Sequence, residues 1–175
     1  GISSPTQIPG TTWSKVQGSY LMGMGIKTDG SLWSWGSNLR GQLGQNTDAP
    51  APYLGGRSSP VQIPGAWSDF AAGGIGLGLK SDGTIWAWGN NQNGPLGQNE
   101  PGPSQYSSPT QIGTDTDWSD IVGATYALKT DGSFWSWGYN PTGQLGQNNT
   151  TKYSSPTQIG TDTDWLRVGE GGGNW

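Results

Sequence analysis

The sequence predicts an all-β protein of the β-propeller class, made of four-stranded sheets stacked as blades. Three observations predict it. DGSLWSWG at 29–36 returns as DGTIWAWG at 82–89 and as DGSFWSWG at 131–138. Two further blocks travel with it in fixed order: SSPTQI or SSPVQI from Ser3, Ser58, Ser107 and Ser154, and GQLGQN or GPLGQN at 41–46, 94–99 and 143–148. Apolar positions recur at period 2 rather than 3.6, and glycine is too frequent for helix. A repeat of roughly fifty residues is one supersecondary unit that cannot bury its apolar face alone and must stack on copies of itself.

Within a unit each segment has a reading. Trp13-Ser14-Lys15-Val16 leads into a small-residue strand, Gly23-Met24-Gly25-Ile26-Lys27, expected to be innermost because backbones crowd near the axis. Asp29-Gly30 between two strand-like runs predicts a two-residue hairpin turn. Ser31 to Trp35 alternates, with Trp33 and Trp35 on one face and Leu32 and Ser34 on the other. Both faces are apolar or small, as expected when neighbouring sheets cover both sides. Gly36 ends the run, and a polar loop follows in which Leu43 lies between Gly41 and Gly44. Pro5, Pro60, Pro109 and Pro156 are expected to open outer strands, where a missing N–H is tolerated.

The whole of 1–175 reads as one propeller segment with repeats at approximately 3–57, 58–106 and 107–153 and a partial one at 154–175. Trp13 to Asp29 is 16 residues, Trp67 to Asp82 is 15 and Trp118 to Asp131 is 13, so the third unit's inner strand should be shorter or differently connected. Three complete units and part of a fourth leave tryptophan-bearing faces, and apolar patches of that size do not persist on soluble monomers. The expectation is a ring closed by further blades or by a second chain.

Composition narrows the chemistry. The chain has 8 basic and 12 acidic residues, a net charge of −4, and neither histidine nor cysteine. Ser-His-Asp and Cys-His catalysis, disulfides and thiolate or imidazole metal sites are thereby excluded. Eight scattered cations do not make a phosphate-binding face, so no nucleic acid partner is expected. No apolar run reaches the ~20 residues of a spanning helix, so no membrane insertion is expected. No signal peptide is visible in a chain that starts at Gly1. Asp29, Asp82 and Asp131 belong to turns, while Asp69, Asp120 and Glu170 show no pairing. No catalytic residue, metal site or cofactor is assigned. Thr114-Asp115-Thr116-Asp117-Trp118 and its copy at 161–165 read as a polar turn, because a calcium site needs more oxygen ligands than the segment offers.

The Lys-Thr-Asp-Gly-Ser-x-Trp-x-Trp-Gly and Gly-Gln-Leu-Gly blocks resemble those of the regulator of chromosome condensation repeat family. The resemblance covers nearly the whole chain and implies a seven-bladed propeller of which this chain is a part. The family includes nuclear exchange factors for small GTPases, secreted inhibitors of β-lactamases, and repeat proteins of bacterial surfaces and phage particles.

The tryptophans at fixed repeat positions, such as Trp33, Trp86 and Trp135, are better explained as blade core than as sugar platforms. Binding candidates lie in the variable segments: Arg40, Tyr53, Tyr106, Tyr139 and Tyr153, of types that commonly anchor interfaces. The competing reading is that these rings pack their own loops. The expected function is a non-catalytic recognition or structural module that presents loops to a protein or glycan ligand, in an extracellular, cell-surface or virion setting. The alternatives are a guanine-nucleotide exchange factor for a small GTPase and a glycan-binding lectin.

Overall fold

In the computed structural model, which describes residues 4–19, 21–46, 55–99 and 104–166, the repeated blocks become twelve strands in three antiparallel sheets of four. The first blade comprises β1 (Trp13–Gly18), β2 (Met22–Lys27), β3 (Leu32–Gly36) and β4 (Arg57–Ile63). The second comprises β5 (Trp67–Ala72), β6 (Ile75–Lys80), β7 (Ile85–Asn90) and β8 (Gln105–Gln111). The third comprises β9 (Trp118–Val122), β10 (Tyr126–Lys129), β11 (Phe134–Gly138) and β12 (Tyr153–Gln158). Strands are ordered within each sheet as in the chain, so the fourth strand is the Ser-Ser-Pro block that opens the next sequence repeat. There is no helix among the described residues.

The glycine-rich strand is second, not innermost. The first strands of successive blades approach one another, β1 with β5 and β5 with β9, and these line the inner edge. Glycine is required for another reason: indole rings lie flat on the second strand. A methyl at Gly23 would land in the Trp35 ring and one at Gly76 in the Trp88 ring, while one at Gly25 or Gly78 would press on Trp13 or Trp67. In the third blade Ala127 takes the position opposite Trp135 that Gly25 and Gly78 hold opposite Trp33 and Trp86. There β10 is only 4 residues long against 6 for β2 and β6, the shortening that the spacing predicts.

The hairpin is also one residue longer than expected. Lys27 N–H donates to Ser31 O at 3.0 Å and Gly30 N–H to Lys27 O at 3.0 Å, which leaves Thr28, Asp29 and Gly30 as a three-residue loop. Gly30 carries the positive φ of 79° while Asp29 stays out of that region, the pattern of a type I turn closed by a glycine bulge. Asp29 Oδ1 accepts from both the backbone N–H (2.9 Å) and the hydroxyl (2.6 Å) of Ser31, whose oxygen accepts from Trp33 Nε1 at 2.9 Å. Asp82–Thr84–Trp86 and Asp131–Ser133–Trp135 repeat this relay. Hydrogen bonds from Ser31, Thr84 and Ser133 hold the three carboxyls below the ordinary carboxylate range.

Pro60, Pro109 and Pro156 lie inside the outer strands rather than opening them, and Pro5 lies in no strand. Each of the three sits where the register slips against the third strand, so the missing N–H falls at a bulge on an edge.

Blades are joined by the Gly-x-Leu-Gly loop and the second tryptophan of the next blade. Trp88 Nε1 donates to Gln42 O at 2.9 Å, and Trp137 Nε1 donates to Pro95 O at 2.9 Å. Beneath these rings Gly44 and Gly97 have φ of 64° and 67°, where a side chain is strained, and a methyl at either would press on Trp88 or on Ile112 and Trp137. Met24, Leu32, Ile63, Phe70 and Trp88 fill the core between the first two blades, and Leu77, Ile85, Ile121 and Trp137 that between the second and third. The sequence places the tryptophans at fixed repeat positions in the blade core. Trp88 and Trp137 are fully buried, whereas Trp33, Trp86 and Trp135 are half-buried beneath lysines, and Trp35 is half-buried on the outer face of the first blade.

Two outcomes follow. Trp88→Ala or Trp137→Ala empties a site fixed by backbone on both sides and should cost about 3–5 kcal/mol, while Trp86→Ala should cost clearly less; urea unfolding of the variants checks both. The turn carboxyls are lowered on folding, so their contribution is fully present above the ordinary carboxylate range and is lost as acid titrates the lowered folded values. Asp82→Asn should therefore be less stable at neutral pH and lose less on acidification than wild type, measured as urea midpoints across a pH series.

Candidate functional site

Each blade has two ends. The Asp-Gly hairpins lie at one, and at the other the third strand passes into the long loop that leads to the fourth. That second end collects the variable segments. Its loops are held firmly: Asn38 Oδ1 accepts from Leu43 N–H at 3.0 Å, Ser34 Oγ donates to Leu43 O at 2.7 Å, and Arg40 N–H donates to Gln42 Oε1 at 2.7 Å. The third blade repeats the pattern, with Asn140 Oδ1 accepting from Leu145 N–H at 3.0 Å and Gln144 Nε2 donating to Tyr139 O at 2.8 Å. Leu43, Leu96 and Leu145 plug the sheets below, each essentially without exposure.

On this platform the candidates separate. Arg40 is exposed and Tyr139 is 55% exposed. Tyr106 is half-buried against the core of the second and third blades, and its backbone abuts Gly41 of the first-blade loop. Tyr153 is half-buried, and its hydroxyl accepts from Asn149 Nδ2 at 2.9 Å. Tyr53 lies outside the described residues. Two residues absent from the candidate set join Arg40 and Tyr139 at this end: Leu39 and Leu21, 55% and 54% exposed. A signal for Leu39 does exist in the sequence, because Gln92 and Pro141 occupy its place after the repeated asparagine.

The acids are engaged elsewhere. Asp69 pairs with Lys15 at 2.7 Å across the first two inner strands, and Lys15 Nζ also donates to Phe70 O at 3.0 Å. Asp115 and Asp117 pair with Lys129 at 2.6 and 3.1 Å. Burial works to lower the Lys129 pKa, but the two carboxylates outweigh it and the net shift is upward. Among the described residues no group of three or more carboxylates could hold a metal ion.

One lysine per blade ends the second strand beside two indoles. Lys27 lies 4.3 Å from the Trp33 ring centroid, Lys80 lies 3.6 Å from that of Trp86, and Lys129 lies 4.9 Å from that of Trp135. Lys80 and Trp86 open into a cleft of about 360 Å³ between the first two blades, toward the Asp-Gly end.

Comparison with known proteins places this geometry. The model of the regulator of chromosome condensation (RCC1) repeat matches residues 29–74, 82–126 and 131–173. A zebrafish (Danio rerio) protein described as Protein RCC2 homolog is 36% identical over 77 residues, 42% of this chain and 14% of that protein. Among solved structures, human WBSCR16 aligns at a TM-score of 0.74 with 23% identity, over 91% of this chain and 43% of that one. Prp20p from Saccharomyces cerevisiae, studied for its binding to Gsp1p and histones, aligns at 0.72 with 20% identity, over 86% and 39%. Yeast RCC1 (Prp20) bound to Kap60 aligns at 0.73 with 21% identity, over 86% and 37%. The chain thus spans well under half the length of each. The RCC2 homolog and Prp20 are intracellular proteins, and they overturn the extracellular, cell-surface or virion placement expected from the sequence. Near-identical repeats and low charge, on which that expectation leans, are compatible with either side of a membrane.

Proposed function

The chain belongs to the regulator of chromosome condensation (RCC1) repeat family, and from that premise we propose that it is a non-catalytic protein-binding segment of a propeller. Its partner docks on the end of the blades that carries Leu21, Leu39, Arg40 and Tyr139. One observation carries the reading: exposed apolar and aromatic side chains and an arginine stand on loops whose backbones are fixed from below. Large side chains held this way lose little freedom on binding, which favours anchoring contacts. The platform is set by the Asn38 and Asn140 carboxamides and by the buried leucines, so loop residues can differ between blades without disturbing it. Protein ligands also accord with one relative, yeast Prp20, which was studied for binding Gsp1p and histones and also solved bound to Kap60. Six of the acids have structural roles, since Asp29, Asp82 and Asp131 hold turns and Asp69, Asp115 and Asp117 hold lysines.

Photo-crosslinking in cells of the source organism tests this. A crosslinkable residue at Leu39 or Tyr139 should capture a discrete protein that one at Thr28 or Thr130, on the hairpin end, does not. Arg40→Ala with Tyr139→Ala should lower that capture by roughly tenfold or more at an unchanged unfolding midpoint. Equal capture of that same protein from both ends, or no capture from the loop end, would refute the assignment.

A further inference from the structure

The lysine that ends the second strand has a different environment in successive blades. In the third blade the link from Ile112 to Trp118 carries Asp115 and Asp117 over Lys129, whose side chain is left 11% exposed. In the second blade the corresponding link is Ile63-Pro64-Gly65-Ala66-Trp67, with three intervening residues against five and no acid among them. Gly65, at φ 135°, lies close against the Trp67 ring, so this shorter link skirts the lysine instead of crossing it. Lys80 forms no ion pair with any described residue. It stands against the Trp86 and Trp67 rings, 3.6 and 5.3 Å from their centroids, and lines the cleft of about 360 Å³ with Gln45, Gln62, Asn46 and Ser108.

We propose that this cleft is a carboxylate-binding site, which takes an aspartate or glutamate side chain of a partner protein much as Lys129 takes the carboxylates of its own chain.

The chemistry favours that occupant. An ammonium lying on an indole has given up part of its hydration, and a carboxylate restores it through a short charge-assisted hydrogen bond while the ring keeps its cation–π contact. The rim is uncharged and rich in amides, with Gln45, Asn46 and Gln62 lining the same cleft as the lysine. Phosphate sites are built differently, from several cations or a nest of backbone N–H groups, and one lysine beside carboxamides is neither. The third blade supplies the template, since an Asp-Thr-Asp segment fits over the same Lys-Trp-Trp set. The site lies toward the hairpin end of the blades and does not rest on the loop face proposed above.

The test uses the whole chain labelled for NMR and the blocked peptide acetyl-Thr-Asp-Thr-Asp-amide as probe, with acetyl-Thr-Asn-Thr-Asn-amide, succinate and inorganic phosphate as comparators. The acidic peptide should shift the Trp86 indole N–H saturably, with a dissociation constant on the order of millimolar, as expected for a contact of this size. Lys80→Met, which keeps the aliphatic stem on both rings, should weaken it at least tenfold, and Lys80→Arg should largely restore it. Replacing 64–66 with Gly-Thr-Asp-Thr-Asp should close the cleft from within and abolish peptide binding at an unchanged fold, which reads the site even where Lys80→Met folds poorly. An equal response to the asparagine peptide, no saturable shift, or indifference to both Lys80→Met and the replacement would overturn the proposal. Tighter binding of phosphate would overturn the carboxylate assignment, and tighter binding of succinate would overturn the protein source in favour of a small diacid.

Discussion

An indole ring packed flat on a β-strand needs a stretch of backbone with no side chain beneath it. The second strands of the first two blades supply that surface at Gly23 and Gly25 and at Gly76 and Gly78, under Trp35, Trp13, Trp88 and Trp67. Much else depends on this fit. The rings gain most of their contact from burial and dispersion against backbone, with edge contacts such as Trp67 on Trp88, 5.8 Å between centroids, adding to it. Once the Trp88 ring lies flat on Gly76, its Nε1 reaches a carbonyl of the preceding blade, that of Gln42. The fit within one blade thereby fixes the joint to its neighbour.

The two tryptophans of each Trp-x-Trp pair share a face but not an environment. In the second and third blades the second is sealed beneath the preceding blade's Gly-x-Leu-Gly loop, and the first is capped by lysine, with its Nε1 tied to the hairpin hydroxyl. A buried indole N–H without an acceptor would be costly, and each of the two finds a local solution. The hairpin carboxylate does double duty, since Asp82 orients the Thr84 hydroxyl so that its oxygen faces Trp86. The glycine beside it also reaches the next blade, for Gly30 O and Gly83 O accept from Trp67 and Trp118 N–H at 3.2 Å.

Much of this architecture can be read in the sequence because a period of identical blocks leaves few ways to bury the same rings. The blade as a four-stranded unit, the shared face of Trp33 and Trp35, and the shortened second strand of the third blade all follow from spacing. The hairpin was harder to read, because Thr28 looks like the last residue of a strand and only the 27–31 pairing shows it to be loop. Glycine in the second strand signals close approach, but composition does not say whether to a backbone or to a ring. At the loop face Arg40 and Tyr139 stood out by residue type. Leu21 and Leu39 did not, because a leucine in a loop is ordinarily read as tucked in, and their exposure depends on neighbours already filling the sheet below. Lys80 was equally silent, since its meaning lies in a comparison with Lys129 across two links of unequal length.

The fourth strand of every sheet is donated by the block that begins the following sequence period. Heredity and folding therefore count this protein in units that are out of phase by one strand. When a gene loses or gains one whole period, the Ser-Ser-Pro strand taken from one sheet is replaced by a near-identical one from the next period. The Gly-x-Leu-Gly loop likewise meets the same type of tryptophan it met before. No sheet is orphaned and no joint is left mismatched at the point of change. Copy number becomes a variable that recombination can alter in a single step, with ring size the only property that must adjust.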